Sequence, residues 1–140
     1  MRFIDSNVFL HAYLRPNRKL TNQEQSIKDE AKAIIVRVEK GEEVAMTTVH
    51  LSEVINIIES SLGVAKSLQF LAQIVTKKTL KVHPTSIEDY GAVLPIAQEK
   101  GVGANDALAY LSMKMHKLTE IYSFDKHFNQ FKDIQKIPST

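Results

Sequence analysis

Hydrophobic and polar positions alternate along this chain in two rhythms. Short apolar runs recur between longer stretches in which apolar residues return every three or four positions. Arg2–Ile4 opens as a strand ending at Asp5. Val8–Leu14 is apolar and helical in spacing until Pro16 stops it, because the residue before a proline is pushed out of the helical region. Asn17–Gln25 is polar and reads as a loop. Ser26 with Asp29 then resembles a capping signal. The helix it opens places Ala31, Ile34, Ile35 and Val38 on one face and ends at Gly41.

Val44–Met46 reads as the second strand, and Thr47 or Thr48 can cap the helix after it. The apolar face of that helix is Leu51, Val54, Ile55, Ile58 and Leu62, and Gly63 closes it. Another helix runs to Thr76, with Val64, Leu68, Leu71, Ala72 and Val75 expected inward. Leu80–His83 is a strand. Ser86 with Asp89 opens a helix over Tyr90–Glu99, where Pro95 predicts a kink. After Gly101 and Gly103, Ala104–His116 is helical, with Leu108, Leu111 and Met115 on one side and Met113 also expected in packing. Glu120–Phe124 is a strand ending at Asp125, and Ile134–Ile137 reads as a last edge strand. Strands alternating with helices imply an α/β fold: a parallel sheet covered by helices on both faces, a three-layer α/β/α sandwich.

The length of 140 residues suits one domain over 1–140. A hydrophobic share of 44% with 24% charged residues excludes whole-chain disorder and a coiled coil. No run approaches the ~18 apolar residues of a transmembrane helix, so no membrane partner is expected. Asp5, Ser6 and Asn7 interrupt any leader-like apolar core near the start. The absence of cysteine removes thiolate metal sites and cysteine nucleophiles and fits a reducing compartment, so a cytoplasmic location is expected. The net charge of +2 permits contact with nucleic acid without arguing for it.

Four carboxylates stand out by their surroundings. Asp5 lies between Phe3–Ile4 and Val8–Leu10; Glu53 lies within Leu51–Ile58; Asp106 precedes Ala107–Leu111; Asp125 follows Ile121–Phe124. A buried, unpaired carboxylate costs several kcal/mol, so each is expected to be paired, coordinated or neutralised. In open parallel sheets, sites form outside the carboxyl ends of the strands. Asp5 and Asp125 fall at such ends, and Glu53 and Asp106 fall in the first turns of helices. Carboxylates gathered on one rim raise one another's pKa, and a divalent cation relieves the repulsion. Oxygen-only ligands favour magnesium or manganese, which support attack of water on a phosphodiester. Singly, each acid also has an ordinary explanation as a helix cap, a turn residue or a solvated side chain.

The segments FIDSNVFLHAY, LSEVINII, NDALAYL and IYSFDKHF, in that order, resemble the four acidic motifs of the PIN-domain family across nearly the whole chain. That resemblance implies a parallel α/β/α sandwich, a metal-dependent ribonuclease site and frequent homodimers. It also implies, for many short members, a toxin of VapC type held inactive by an antitoxin. The matching positions make Asp5, Glu53, Asp106 and Asp125 the catalytic and metal-binding quartet for Mg2+ or Mn2+. Asp5 and Asp106 match the firmest ligands. Glu53 would bind metal or position water, and Asp125 would complete a second position or act through water. Asn7 and Ser123 match polar positions that orient the carboxylates. One departure is the run Ala109–Tyr110–Leu111–Ser112, where small residues are more usual.

Other candidates are weaker. Arg15, Arg18, Lys19, Lys126, His127 and Lys132 can meet RNA phosphates but read first as surface charge. Tyr13 and Phe128 can stack a base but read first as packing. The histidines lack metal-binding spacing, and no G-x-S-x-G, Walker or G-x-G-x-x-G motif is present. A phosphatase of the haloacid dehalogenase type needs a second aspartate where Asn7 stands. An RNA-binding or assembly module of the same fold, or a housekeeping RNA-processing nuclease, is the alternative to a toxin ribonuclease. The apolar first and last helices could supply a dimer face.

Overall fold

The computed structural model describes residues 1–139. Five short strands form one wholly parallel sheet: β1 (Arg2–Ile4), β2 (Val44–Thr47), β3 (Leu80–His83), β4 (Glu120–Tyr122) and β5 (Gln135–Ile137), in the spatial order β3-β2-β1-β4-β5. Parallel neighbours need crossover connections, and helices supply most of them. Helices α1 (Ser6–Tyr13) and α2 (Asn22–Glu39) join β1 to β2, and α3 (Thr48–Leu62) and α4 (Val64–Thr76) join β2 to β3. The pair α5 (Ile87–Lys100) and α6 (Ala104–Met115) crosses back to β4. A 3-10 turn over Lys126–Gln130 precedes β5.

The strand order grows outward from β1 to β3, then returns to place β4 on the other side of β1. The sheet therefore changes direction between β1 and β4, where crevices open in doubly wound folds. Register fixes that crevice, because Phe3 pairs with Ile121 and Ile4 with Tyr122. The Asp5 amide then donates to the Tyr122 carbonyl at 2.9 Å, so both strands end at one level. The central strands are buried on both faces, as covered parallel strands must be; Phe3, Ile4, Val44, Ala45, Met46, Ile121 and Tyr122 form the middle of the core.

Three local readings need correction. Helix α2 starts earlier than the Ser26/Asp29 signal suggests. Thr21 is its cap, with a reciprocal Thr21–Glu24 capping box, and Asp29 instead accepts a bond from Gln25. A full Thr/Glu box satisfies two amides that Ser26 and Asp29 would leave open. Helix α4 turns inward on Ser67, Phe70 and Ile74, leaving Val64, Leu68 and Val75 exposed. It is apolar around most of its circumference, so periodicity alone does not select the face. In α6 Met113 is buried, whereas Met115 is exposed.

Helix α5 continues through Pro95. Gly63 ends α3 and starts α4 at φ 94°, ψ 169°, a conformation that strains any other residue. Helices α1 and α6 spend Val8, Phe9, Ala12, Ala107, Leu108 and Ala109 on the core, and α4 and α5 carry Val64, Leu68, Val75, Ile87 and Leu94 exposed.

Candidate functional site

Asp5 follows β1 directly and is the N-cap of α1. Its Oδ1 accepts from the Ser6 amide at 2.9 Å, and its Oδ2 accepts from Ser123 Oγ at 2.8 Å. It is 5% exposed. The cap role and the buried-acid role therefore coincide in one side chain. Two hydrogen bonds do not offset its loss of water. Burial first, then the charges of Asp106, Glu53 and Asp125, push its pKa up to about 7 against the lowering effect of Ser123.

Glu53 reaches the same place from the second turn of α3. Ser6 Oγ donates to its Oε1 in a short bond, and Asn105 Nδ2 donates to its Oε2 at 2.9 Å. Ser6 Oγ also lies 3.4 Å from Asp5 Oδ1, but its single proton serves one carboxylate at a time. Asp106 stands in the first turn of α6, where the helix dipole favours an acid. The cap position there is Gly103, so Asp106 is not spent on capping. Burial and the charge of Asp125 raise its pKa to about 6.

Asp125 follows β4 and caps the 3-10 turn, accepting from the His127 amide at 2.9 Å. Ser123 Oγ donates to Asp5 while accepting from the Asp125 amide at 3.0 Å. Asn7 crosses the same gap, with Oδ1 accepting from the Phe124 amide at 3.3 Å and Nδ2 facing Ser123 Oγ at 3.5 Å. Asn7 and Ser123 thus lace the end of β1 to the end of β4. All four acids named from the sequence meet at this end of the sheet, contributed by four segments.

Four contributors were not among the site residues named from the sequence. Ser6 bridges Asp5 and Glu53. Asn105 holds Glu53. His50 is buried in α3, with Nε2 3.0 Å from the Asn105 carbonyl and Nδ1 2.6 Å from Thr47 Oγ1. A carbonyl only accepts, so Nε2 carries the proton and Nδ1 accepts from the threonine. Burial lowers the pKa of His50 and keeps it in this neutral form. The ring therefore clasps the start of α6 to the start of α3. His127, read from the sequence as a phosphate contact, places Nδ1 3.1 Å from Asp125 Oδ1 and 3.4 Å from Asp106 Oδ2. Ligand atoms of Asp106, Asp125 and His127 all lie within 4.8 Å of one another. The imidazole stands between two carboxylates, where a cation would neutralise them. Sequence signals existed only as adjacency: Ser6 beside Asp5, Asn105 beside Asp106, His127 two residues past Asp125, and His50 one helical turn before Glu53.

Two aromatic candidates resolve as packing. Tyr13 meets Phe70 edge-on at 5.8 Å, and Phe128 is buried. Arg18 forms a two-pronged ion pair with Glu24 at 2.8 Å.

A family model described as the PIN domain matches residues 2–134. The chain belongs to the PIN-domain family. The resemblance carried by the four acidic motifs is therefore confirmed over nearly the full length, and with it the α/β/α sandwich. Among solved structures, this PIN domain resembles VapC20 of Mycobacterium tuberculosis, described as a toxin that cleaves the sarcin–ricin loop. The match has a TM-score of 0.69 and 14% identity, covering 92% of this chain and 93% of that one. It resembles the Rickettsia felis VapBC2 complex, bound to a DNA fragment from its promoter, at TM-score 0.65 and 15% identity over 96% of both chains. A toxin–antitoxin complex from Klebsiella pneumoniae matches at TM-score 0.65 and 14% identity, covering 96% and 95%. At these identities the likeness is one of fold. No curated protein matches this chain significantly. No helix among its described residues is long and apolar enough to cross a membrane.

Proposed function

We propose that this PIN domain is a metal-dependent ribonuclease that hydrolyses RNA phosphodiester bonds through Asp5, Glu53, Asp106 and Asp125, as the toxin of a type II toxin–antitoxin pair. The observation that carries the reading is a buried Asp5 ringed by three further acids at the point where the sheet changes direction. Acids placed so that burial and mutual repulsion raise their pKa mark a site built for positive charge. The donors fit an oxygen-preferring divalent cation, Mg2+ or Mn2+. When bound, such a cation lowers the pKa of water and stabilises charge on the phosphodiester.

Asp5 and Asp106 would hold the cation, Glu53 would bind it or position water, and Asp125 would complete a second position or act through water. Asn7 and Ser123 keep the first and last acids in register, and Ser6 and Asn105 fix the two oxygens of Glu53. An antitoxin partner is supported by the two toxin–antitoxin complexes that share the fold. The exposed apolar residues Val64, Leu68 and Val75 of α4 offer such a partner a surface. The reading places the protein in the cytoplasm with its RNA and includes a homodimer, with Ile87 and Leu94 of α5 exposed for contact.

The test is cleavage of a labelled, structured RNA pool by the purified chain with Mg2+ or Mn2+, repeated with chelator and with Asp106→Asn. Cleavage lost in both controls supports the metallonuclease. No cleavage with either metal, together with no metal binding at the quartet, assigns the fold to a binding role instead.

A further inference from the structure

Beside Glu53 the surface opens into a cavity of about 360 Å³ lined by α3, α5 and α6. Ser52 and Asn56 line one wall, one helical turn apart on α3. Asn105 forms the end nearest the acids, and Tyr90 of α5 closes the other side. Three features set this cavity apart. No lysine or arginine lines it, so it does not attract a bare phosphate. The polar side-chain atoms of Ser52, Asn56 and Tyr90 have no protein partner among the described residues. Tyr90 is 40% exposed, so part of its ring is open to a ligand. A trough with free donors and acceptors, a partly open aromatic ring and the Glu53 carboxylate at its edge disfavours a bare phosphate and suits a flat, uncharged, edge-polar ring.

We propose that this trough is a nucleobase subsite: it takes the base of one unpaired RNA nucleotide flanking the cut, stacked on Tyr90 and read by Ser52, Asn56 and Asn105. The inference rests on the ribonuclease reading and adds to it how the substrate is gripped. Glu53 belongs both to the trough and to the acid cluster, so a nucleotide whose phosphate lies at the acids has its base beside Tyr90. Unpaired bases are recognised by such stacking plus hydrogen bonds to their edges. Asn105 donates one side-chain amide hydrogen to Glu53, leaving the other and its side-chain Oδ1 for a base. Asn56 offers a whole amide, able to make a paired donor–acceptor contact. The trough thereby couples base recognition to the carboxylate that Asn105 holds, so a poorly fitting base disturbs the acid as well as the grip.

The experiment titrates the labelled full-length chain with the uncharged nucleosides adenosine, guanosine, cytidine and uridine, followed by NMR. The Tyr90 ring and the side-chain amides of Asn56 and Asn105 are expected to shift saturably with at least one of them. Tyr90→Ala is expected to weaken that binding by about 10-fold or more, the scale of losing one base–aromatic stack, while Tyr90→Phe stays near the parent. No saturable shift at these groups with any of the four, or binding unchanged in Tyr90→Ala, overturns the subsite. The nuclease reading fails separately: RNA cut equally well by Asp106→Asn refutes it whether or not nucleosides bind at Tyr90. In the cleavage assay, Asn56→Ala is expected to alter which base flanks the cut, and an unchanged cut-site profile in both Asn56→Ala and Tyr90→Ala also overturns the subsite.

Discussion

Replacing Asp5 with asparagine is expected to stabilise the cation-free protein at pH 8 while abolishing cleavage. The carboxyl has an ordinary pKa of 3.8 and is pushed up to about 7 by burial and by its acidic neighbours. Its folded-state pKa is thus raised above the unfolded one. Folding incurs no charge penalty below pH 3.8, and the penalty grows as pH rises, reaching its full size above about 7. At ~1.4 kcal/mol per tenfold change in acidity, that full penalty is about 4 kcal/mol. The amide removes it but keeps only one acceptor oxygen for two donors, the Ser6 amide and Ser123 Oγ, which costs about 2 kcal/mol. A net gain of about 2 kcal/mol raises the melting temperature by roughly 7 °C for a chain of this size. Thermal melts in chelator at pH 5 and pH 8 test both halves of the argument. Parent stability falls by about 2–3 kcal/mol more than that of Asp5→Asn between the two values. Mg2+ or Mn2+ at pH 8 then raises the parent's melting temperature more than the variant's, because the cation supplies the neutralisation that the mutation has made unnecessary. A variant that melts below the parent at pH 8 in chelator, with the same pH slope, refutes this account of the acid.

Two other substitutions probe the supports of the site. His50→Ala removes the clasp between Thr47 and the Asn105 carbonyl and is expected to lower kcat about 10- to 100-fold with the KM for RNA nearly unchanged. His50→Gln, which can still donate to Asn105, recovers part of the loss in the same assay. Lys28, 7% exposed on α2, donates to the carbonyls of His11, Ala12 and Leu14 and so satisfies the end of α1. Lys28→Met keeps the packed stem but strands these acceptors, and denaturant unfolding should show a loss of about 2–3 kcal/mol.

The acids were legible because each stands against an apolar background and each falls where a parallel sheet presents its strand ends. Asp5 and Asp125 needed only the strand–turn reading, and Glu53 and Asp106 needed the helix starts as well. The supports were not legible. Ser6, His50 and Asn105 act across 47 to 55 positions of sequence, and nearness to an acid is the one signal their neighbours carry. Tyr90 was invisible for the opposite reason: its surroundings look like solvated helix, and only the opposing walls of α3 and α6 make it part of a cavity. Helix α4 shows the limit of periodicity. Val64, Leu68 and Val75 form as good a stripe as Ser67, Phe70 and Ile74, and tertiary packing chose the second.

Strand β1 precedes the other four strands in the chain, yet it lies in the middle of the sheet with β2 on one side and β4 on the other. Asp5 is held by Ser123, 118 residues later. At a translation rate of roughly 5–20 residues per second, the first acid therefore waits about 6–24 s before its partner has even been made. A nascent or prematurely ended chain lacking β4 carries Asp5, Glu53 and Asp106 without the strand that aligns them. Such a chain lacks Ser123 and Asp125, so the acid cluster is complete only once β4 and the turn after it have been made. The cluster that Asp5 opens is therefore closed only when β4 joins the sheet.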